Sequence, residues 1–159
     1  ESCTAGGIAA MLTEASGASA VFHGGFVTYA NEAKIEWLNV PGQLIEAHGA
    51  VSQPVAEAMA KGLHDRTGSD LCVAITGIAG PGGATPDKPV GTVHVAVAST
   101  LPAAESATDP TQTTEPRVVH RKLRLRGNRG TVRRSAAVWA LKMVWDQILL
   151  AGLAGREAT

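Results

Sequence analysis

Aromatic residues are scarce in this 159-residue sequence, at 4%. One tyrosine, two phenylalanines and three tryptophans cannot fill a core, so Ala, Val, Leu and Ile must do most of the packing. Cysteine is scarcer still. Cys3 and Cys72 form no CxxC pair and no spaced framework, which excludes a disulfide scaffold and fits a reducing cytoplasm. Cys72 lies in an apolar run and is expected to be a small buried hydrophobe. No apolar stretch approaches the ~20 residues that span a membrane, and no secretory signal opens the chain. Charge of one sign is not in excess either, since 14 Lys and Arg balance 14 Asp and Glu. The histidines, His23, His48, His64, His94 and His120, have no metal-ligand spacing, so no metal site is expected.

What is present is ordinary for a globular protein: 45% hydrophobic and 18% charged residues, in a length that suggests one domain over 1–159. The charge is unevenly placed. Arg117, Arg121, Lys122, Arg124, Arg126, Arg129, Arg133 and Arg134 form a basic block with no acid among them. Such a block reads either as a nucleic-acid patch or as a strand and helix start facing water or a phosphorylated ligand. No nucleic-acid-binding pattern accompanies it, which favours the second reading. The abrupt opening Glu1-Ser2-Cys3 leaves no room for an upstream strand, so residues before Glu1 are expected in the native protein.

Periodicity predicts the elements. Ile8, Met11 and Leu12 recur at helical spacing within Thr4–Ala15, followed by Gly17. Phe26, Val27 and Tyr29 predict a strand over Gly25–Ala30. Asn31 is a suitable N-cap for a helix over Glu32–Leu38, and Pro41 opens a short helix ended by Gly49. Ser52 is expected to cap a helix from Gln53 to Thr67, with Val55, Met59 and Leu63 on one face and Gly68 closing it. Leu71–Thr76 and Thr92–Ala98 read as buried strands, joined by a Gly/Pro-rich loop over Gly77–Gly91. Thr100–Pro116 is polar and reads as a mobile connection. Val118–Arg126 reads as a weakly alternating strand, and Asn128–Ala151 as a long helix. The alternation argues for an α/β fold, a three-layer α/β/α sandwich with a mixed, largely parallel central sheet.

In open α/β sheets ligands bind beyond the carboxyl ends of the strands. Ser2, Tyr29, Thr76 and Gly77 stand at such exits and would converge on one rim if the strands run parallel. Lys34 falls in the first turn of its helix, where the dipole disfavours its charge, and a neutral lysine is what a general base must be. Ser2 stands at a helix start, where N–H groups can stabilise negative charge. The chemical reading is a serine activated by Lys34 with Tyr29 relaying the proton. The structural reading is a helix cap, a solvated lysine and a packing tyrosine. Thr76 is either an oxyanion donor or a strand-end residue satisfying its own backbone. The Gly77–Gly91 loop either cradles a phosphate or merely connects. It matches neither of the usual nucleotide-binding fingerprints. Arg129 and Arg133 at the last helix either hold a phosphate or face water. Cys3 is a rival nucleophile with no base beside it in sequence.

The stretches ESCTAGG, GGFVTYANEAKIEWLNV, HGAVSQPVAEAMA and ITGIAGPGGATPDKPVGTV closely resemble the CinA C-terminal family, over nearly the whole chain. That resemblance implies an α/β/α fold and metal-independent, cofactor-free hydrolysis of nicotinamide mononucleotide to nicotinic acid mononucleotide and ammonia. It makes Ser2 of the ESCT motif the nucleophile. Lys34 and Tyr29 of the YxNExK motif become base and assistant, and Thr76 of the TGxxGP motif lies near the oxyanion. Thr4, Gly6 and Gly7 are then expected around the oxyanion. Asn31, Gly77, Gly80, Gly82 and Arg129 are expected against the nucleotide. Asn128 stands where the family more often has Asp. The resemblance also implies a homodimer. The rival readings are a non-catalytic nucleotide-binding or competence- and repair-associated interaction module, and an amidase acting on another amide.

Overall fold

Two apolar runs rich in Val, Ala and Ile form the centre of the protein, because branched side chains pack well on a pleated surface. In the computed structural model, which describes residues 1–102 and 115–152, they are β1 (Leu71–Gly77) and β2 (Thr92–Ser99), the latter buried along its whole length. Successive strand residues point to opposite faces. Ile75, Val93, Val95 and Val97 therefore join one core with Ile8 and, from α5 (Arg129–Leu150), Val132, Ala136 and Ala140. Cys72, Ala74, Ala96 and Ala98 join another with Leu38 and, from α4 (Gln53–Thr67), Val55 and Met59. Helices thus cover both faces of the sheet, and Cys72 is buried as its apolar setting predicts.

The sheet itself corrects the expectation of mixed, largely parallel strands. Its order is β1-β2-β3, with β3 at Arg117–Arg124, and both pairings are antiparallel. The reason is topological. Strand order follows chain order, and no helical crossover lies between these strands among the described residues, so each strand runs back along the one before it. Most of the segment expected to be mobile, 103–114, lies outside the described residues.

The strand expected at Gly25–Ala30 does not form. Among the described residues it bonds to Glu1: the Glu1 amine donates to the Phe26 carbonyl at 2.6 Å, and the Thr28 N–H donates to the Glu1 carbonyl at 2.9 Å. On the other side, the Ser2 N–H donates to the Ile75 carbonyl at 3.0 Å. Residues 1–2 therefore lie between the outer edge of β1 and residues 26–28, and this seats Ser2 near the end of β1.

Helix ends follow local chemistry with some differences. The first helix, α1, covers Gly7–Thr13 rather than Thr4–Ala15, because Ala5 (φ 49°) and Gly6 (φ 89°) are left-handed and turn the chain. In α2 (Asn31–Leu38) Asn31 is the first helical residue, and Ala30 holds the N-cap position without a side-chain bond. Pro41 precedes α3 (Gly42–His48), which ends at Gly49. Ser52 occupies the N-cap of α4, yet its hydroxyl donates to the Gly49 carbonyl instead of accepting from the helix. Gly68 closes α4 in the left-handed conformation, and Asn128 caps α5 by accepting from the Thr131 N–H at 3.0 Å. Among the described residues no helix is long and apolar enough to cross a membrane.

Two features make testable demands on stability. A Cβ on Gly62 would lie 1.8 Å from the Leu38 carbonyl oxygen, so α4 meets the end of α2 only because this residue has no side chain. Gly62→Ala is expected to destabilise the protein by roughly 3 kcal/mol, an overpacking cost, read as a lowered denaturation midpoint. On the α4 face of the sheet, His94 Nδ1 lies 2.9 Å from His120 Nε2, with the rings stacked at 5.1 Å. Burial pushes the His94 imidazole down to about 4, and the nearby His120, Lys122 and Lys88 act in the same direction. A folded value below the unfolded 6.5 means stability that is full above pH 6.5 and lost as pH falls towards 4. His94→Gln should flatten that loss, worth at most ~3 kcal/mol, in denaturant titrations run across the window. An unchanged slope would show that the pair carries none of it.

Candidate functional site

The site begins with a turn. Ser2 is buried, its N–H fixed on Ile75, and its carbonyl accepts from the Ala5 N–H at 3.0 Å. The turn packs against the end of β1, where a Cβ on Gly77 would meet Val93 at 2.7 Å, the Thr92 carbonyl oxygen at 3.0 Å and the Cys3 sulfur at 3.1 Å. Glycine is required there by close approach. From α5, the Arg133 guanidinium donates to the carbonyls of Cys3 (3.1 Å) and Thr4 (2.9 Å). The Glu1 carboxylate accepts from the N–H groups of Gly6 (3.1 Å), Ile8 (3.1 Å) and Ala9 (2.9 Å), so a negative charge already sits at the start of α1.

Lys34 comes from α2 and is only 1% exposed. Its amine reaches back to the carbonyls of Thr28 (2.8 Å), Tyr29 (3.3 Å) and Ala30 (3.3 Å). Burial pushes the Lys34 ammonium below its ordinary value, against the opposing influence of Cys3 and Glu32. Desolvation, expected from sequence to add to the helix dipole, is the largest cause.

Tyr29 is 57% exposed on the irregular segment before α2. Its hydroxyl accepts from Arg129 Nη2 at 2.9 Å, while Arg129 Nη1 donates to the Gly80 carbonyl at 2.8 Å. One side chain at the start of α5 thus ties Tyr29 to the glycine-rich loop. Thr76, at the end of β1, is buried and donates its hydroxyl to the Ala50 carbonyl at 2.9 Å.

These residues meet at one cavity of about 220 Å³, lined by Ser2, Cys3, Tyr29, Asn31, Lys34, Ala50, Val51, Thr76, Gly77, Ala79 and Arg129. Arg129 is a cation and no acid is in the lining, so the cavity suits an anionic ligand. A second cavity, of about 270 Å³, opens beside β1 among apolar side chains such as Phe22, Phe26, Leu63 and Val144, and none of the expected site residues lines it. Among the described residues no cluster of three or more His, Cys, Asp or Glu is placed to hold a metal ion.

Of the residues expected at the site, Ser2, Tyr29, Lys34, Thr76, Asn31, Gly77 and Arg129 line the cavity. Thr4, Gly6, Gly7, Gly80 and Gly82 do not. Thr4 is buried with its hydroxyl unpartnered among the described residues. The Gly6 N–H is held by Glu1 and the Gly7 N–H by the Thr4 carbonyl at 3.2 Å. Gly80 offers its carbonyl to Arg129, and Gly82 is exposed with nothing near its Cα hydrogens. Arg133 turns to the Ser2–Ala5 turn rather than joining Arg129 in the cavity. Sequence reasoning missed this contact and the Glu1 carboxylate. The i, i+4 spacing of Arg129 and Arg133 marks them as neighbours on one helix face, but only the fold shows what that face meets.

An α/β fold with a buried serine, a buried lysine and a cationic group around one cavity has the parts of an acyl-transfer site. Residues 1–148 match the CinA C-terminal domain family, and the chain belongs to that family. It is 52% identical over 144 residues to a CinA-like protein from Mycolicibacterium vanbaalenii, covering 91% of this chain and 31% of that one. A CinA-like protein from Mycobacterium marinum is 49% identical over 144 residues, with the same coverage. The chain spans about a third of the length of these curated relatives. Among solved structures, the competence/damage inducible protein CihA from Agrobacterium tumefaciens is 39% identical with a TM-score of 0.80, covering 91% of this chain and 80% of that one. A CinA-superfamily protein from Escherichia coli is 31% identical with a TM-score of 0.79, covering 92% and 76%.

Proposed function

We propose that the chain is an amidohydrolase converting nicotinamide mononucleotide to nicotinic acid mononucleotide and ammonia. The observation that carries this reading is Lys34, a lysine held below its ordinary pKa by burial in the same cavity as Ser2. Ser2 Oγ bonds to the carboxamide carbon and gives its proton to neutral Lys34. The carbon–nitrogen bond then breaks, and Lys34 passes the proton to the departing nitrogen, which leaves as ammonia. Water attacks the resulting acyl ester, Lys34 takes its proton and returns it to Ser2 Oγ, and the carboxylate departs. Tyr29 assists the transfers.

The developing oxyanion needs preorganised donors. The Cys3 N–H group, on a residue that lines the cavity, has no acceptor among the described residues, and it takes this role beside Thr76. Arg129, Asn31 and the Gly77–Gly91 loop contact the ribose and phosphate. The scheme uses no metal.

One observation favours a second reading. Three carbonyl acceptors around the Lys34 amine match the three hydrogens of an ammonium. A lysine kept charged would be structural, and the cavity would bind a nucleotide without turning it over.

Ammonia release decides between them. Without added metal, the protein is expected to release ammonia from nicotinamide mononucleotide, and Ser2→Ala or Lys34→Ala to lower kcat by about 10³-fold or more with folding verified by circular dichroism. Because the base acts when deprotonated, kcat/KM should rise with pH through an ionisation below the ordinary lysine value of 10.5. Nucleotide binding in calorimetry with no ammonia would establish the second reading instead.

A further inference from the structure

We propose that Arg133 is a positioning residue for oxyanion stabilisation: from behind the cavity it fixes the Ser2–Ala5 turn so that the Cys3 N–H group stays available to a developing negative charge. The proposal rests on the amidohydrolase reading.

The turn's hydrogen bonds account for nearly all of its backbone groups. The Ser2 carbonyl is taken by the Ala5 N–H, the Cys3 carbonyl by Arg133 Nε, and the Thr4 carbonyl by Arg133 Nη2 and the Gly7 N–H. The N–H groups of Gly6, Ile8 and Ala9 go to the Glu1 carboxylate. What remains is the pair at Cys3 and Thr4, without an acceptor among the described residues, and of the two Cys3 lines the cavity.

A trans peptide points its N–H opposite to its carbonyl. By drawing the Cys3 carbonyl towards α5, Arg133 aims the Thr4 N–H away from α5. Ser2 and Cys3 line the cavity and Arg133 does not, so it acts through the backbone rather than on the ligand. The turn also needs holding. Ala5 is left-handed at φ 49°, a conformation that is unfavourable for an alanine and persists where surrounding contacts over-determine it. Donation from a cation further polarises both peptides and strengthens their N–H groups as donors.

Two variants of the full chain test this, Arg133→Met, which keeps bulk but no donor, and Arg133→Lys, which keeps one charged donor. In kinetics, Arg133→Met is expected to lower kcat by roughly 10- to 100-fold, less than deleting a direct oxyanion donor, with KM within about twofold, and Arg133→Lys to recover part of it. In ¹H–¹⁵N spectra, which need no turnover, the Thr4 and Ala5 amide protons should move upfield in both variants. A raised KM with unchanged kcat would mean that Arg133 binds substrate. Amide shifts identical to wild type would overturn the proposal even if kcat falls. Should Arg133→Met fail to fold, Arg133→Lys carries both measurements. A wild type that releases no ammonia removes the amidohydrolase reading, while the amide shifts still decide whether Arg133 controls the turn.

Discussion

A lysine amine taken almost wholly out of water is the constraint on which the site depends. Burying an ammonium is costly unless polar groups replace its hydration. Lys34 meets this by gathering the carbonyls of Thr28, Tyr29 and Ala30. Those carbonyls belong to a segment with no regular ladder of its own, so the amine serves as its template. Tyr29 is thereby placed at the cavity mouth, within reach of Arg129. Local architecture and the electrostatics of the cavity share one atom here: burial pushes the Lys34 ammonium below its ordinary value while three carbonyls accept its hydrogens.

The first turns of α5 form the other half of the frame. Arg129 and Arg133 stand one helical turn apart and grip different parts of the chain. One holds Tyr29 and the glycine-rich loop, the other the turn that carries Ser2. A 22-residue helix packed on the sheet through Val132, Ala136 and Ala140 is a rigid mount for both. Sites supported by regular elements hold geometry better than sites carried by loops alone.

Much of the fold was legible because it obeys simple periods. The buried runs of β1 and β2, the face of α4 and its Gly68 stop are local signals, and each appears where residue type predicts it. Strand direction was not legible, since it depends on what lies between strands rather than within them. Gly25–Ala30 has the composition of a strand, yet among the described residues its backbone bonds outside the segment go to Glu1, and composition says nothing about neighbours. Ser2, Tyr29, Lys34, Thr76 and Arg129 were readable as motif members, and the fold brings them to one cavity. Of the helix-start amides expected there, that of Gly6 is taken for a tertiary reason. The Glu1 carboxylate folds forward onto Gly6, Ile8 and Ala9, and no propensity announces such a reach.

The sheet ends on β3, whose far side pairs with no other strand among the described residues. Arg117, Arg121, Lys122 and Arg124 are all exposed along it. A bare strand edge is a template on which a second chain can add. Two copies meeting edge to edge here would bring like charges face to face on both sides of the new ladder. The basic block that reads in sequence as a ligand surface therefore also disfavours such a pairing.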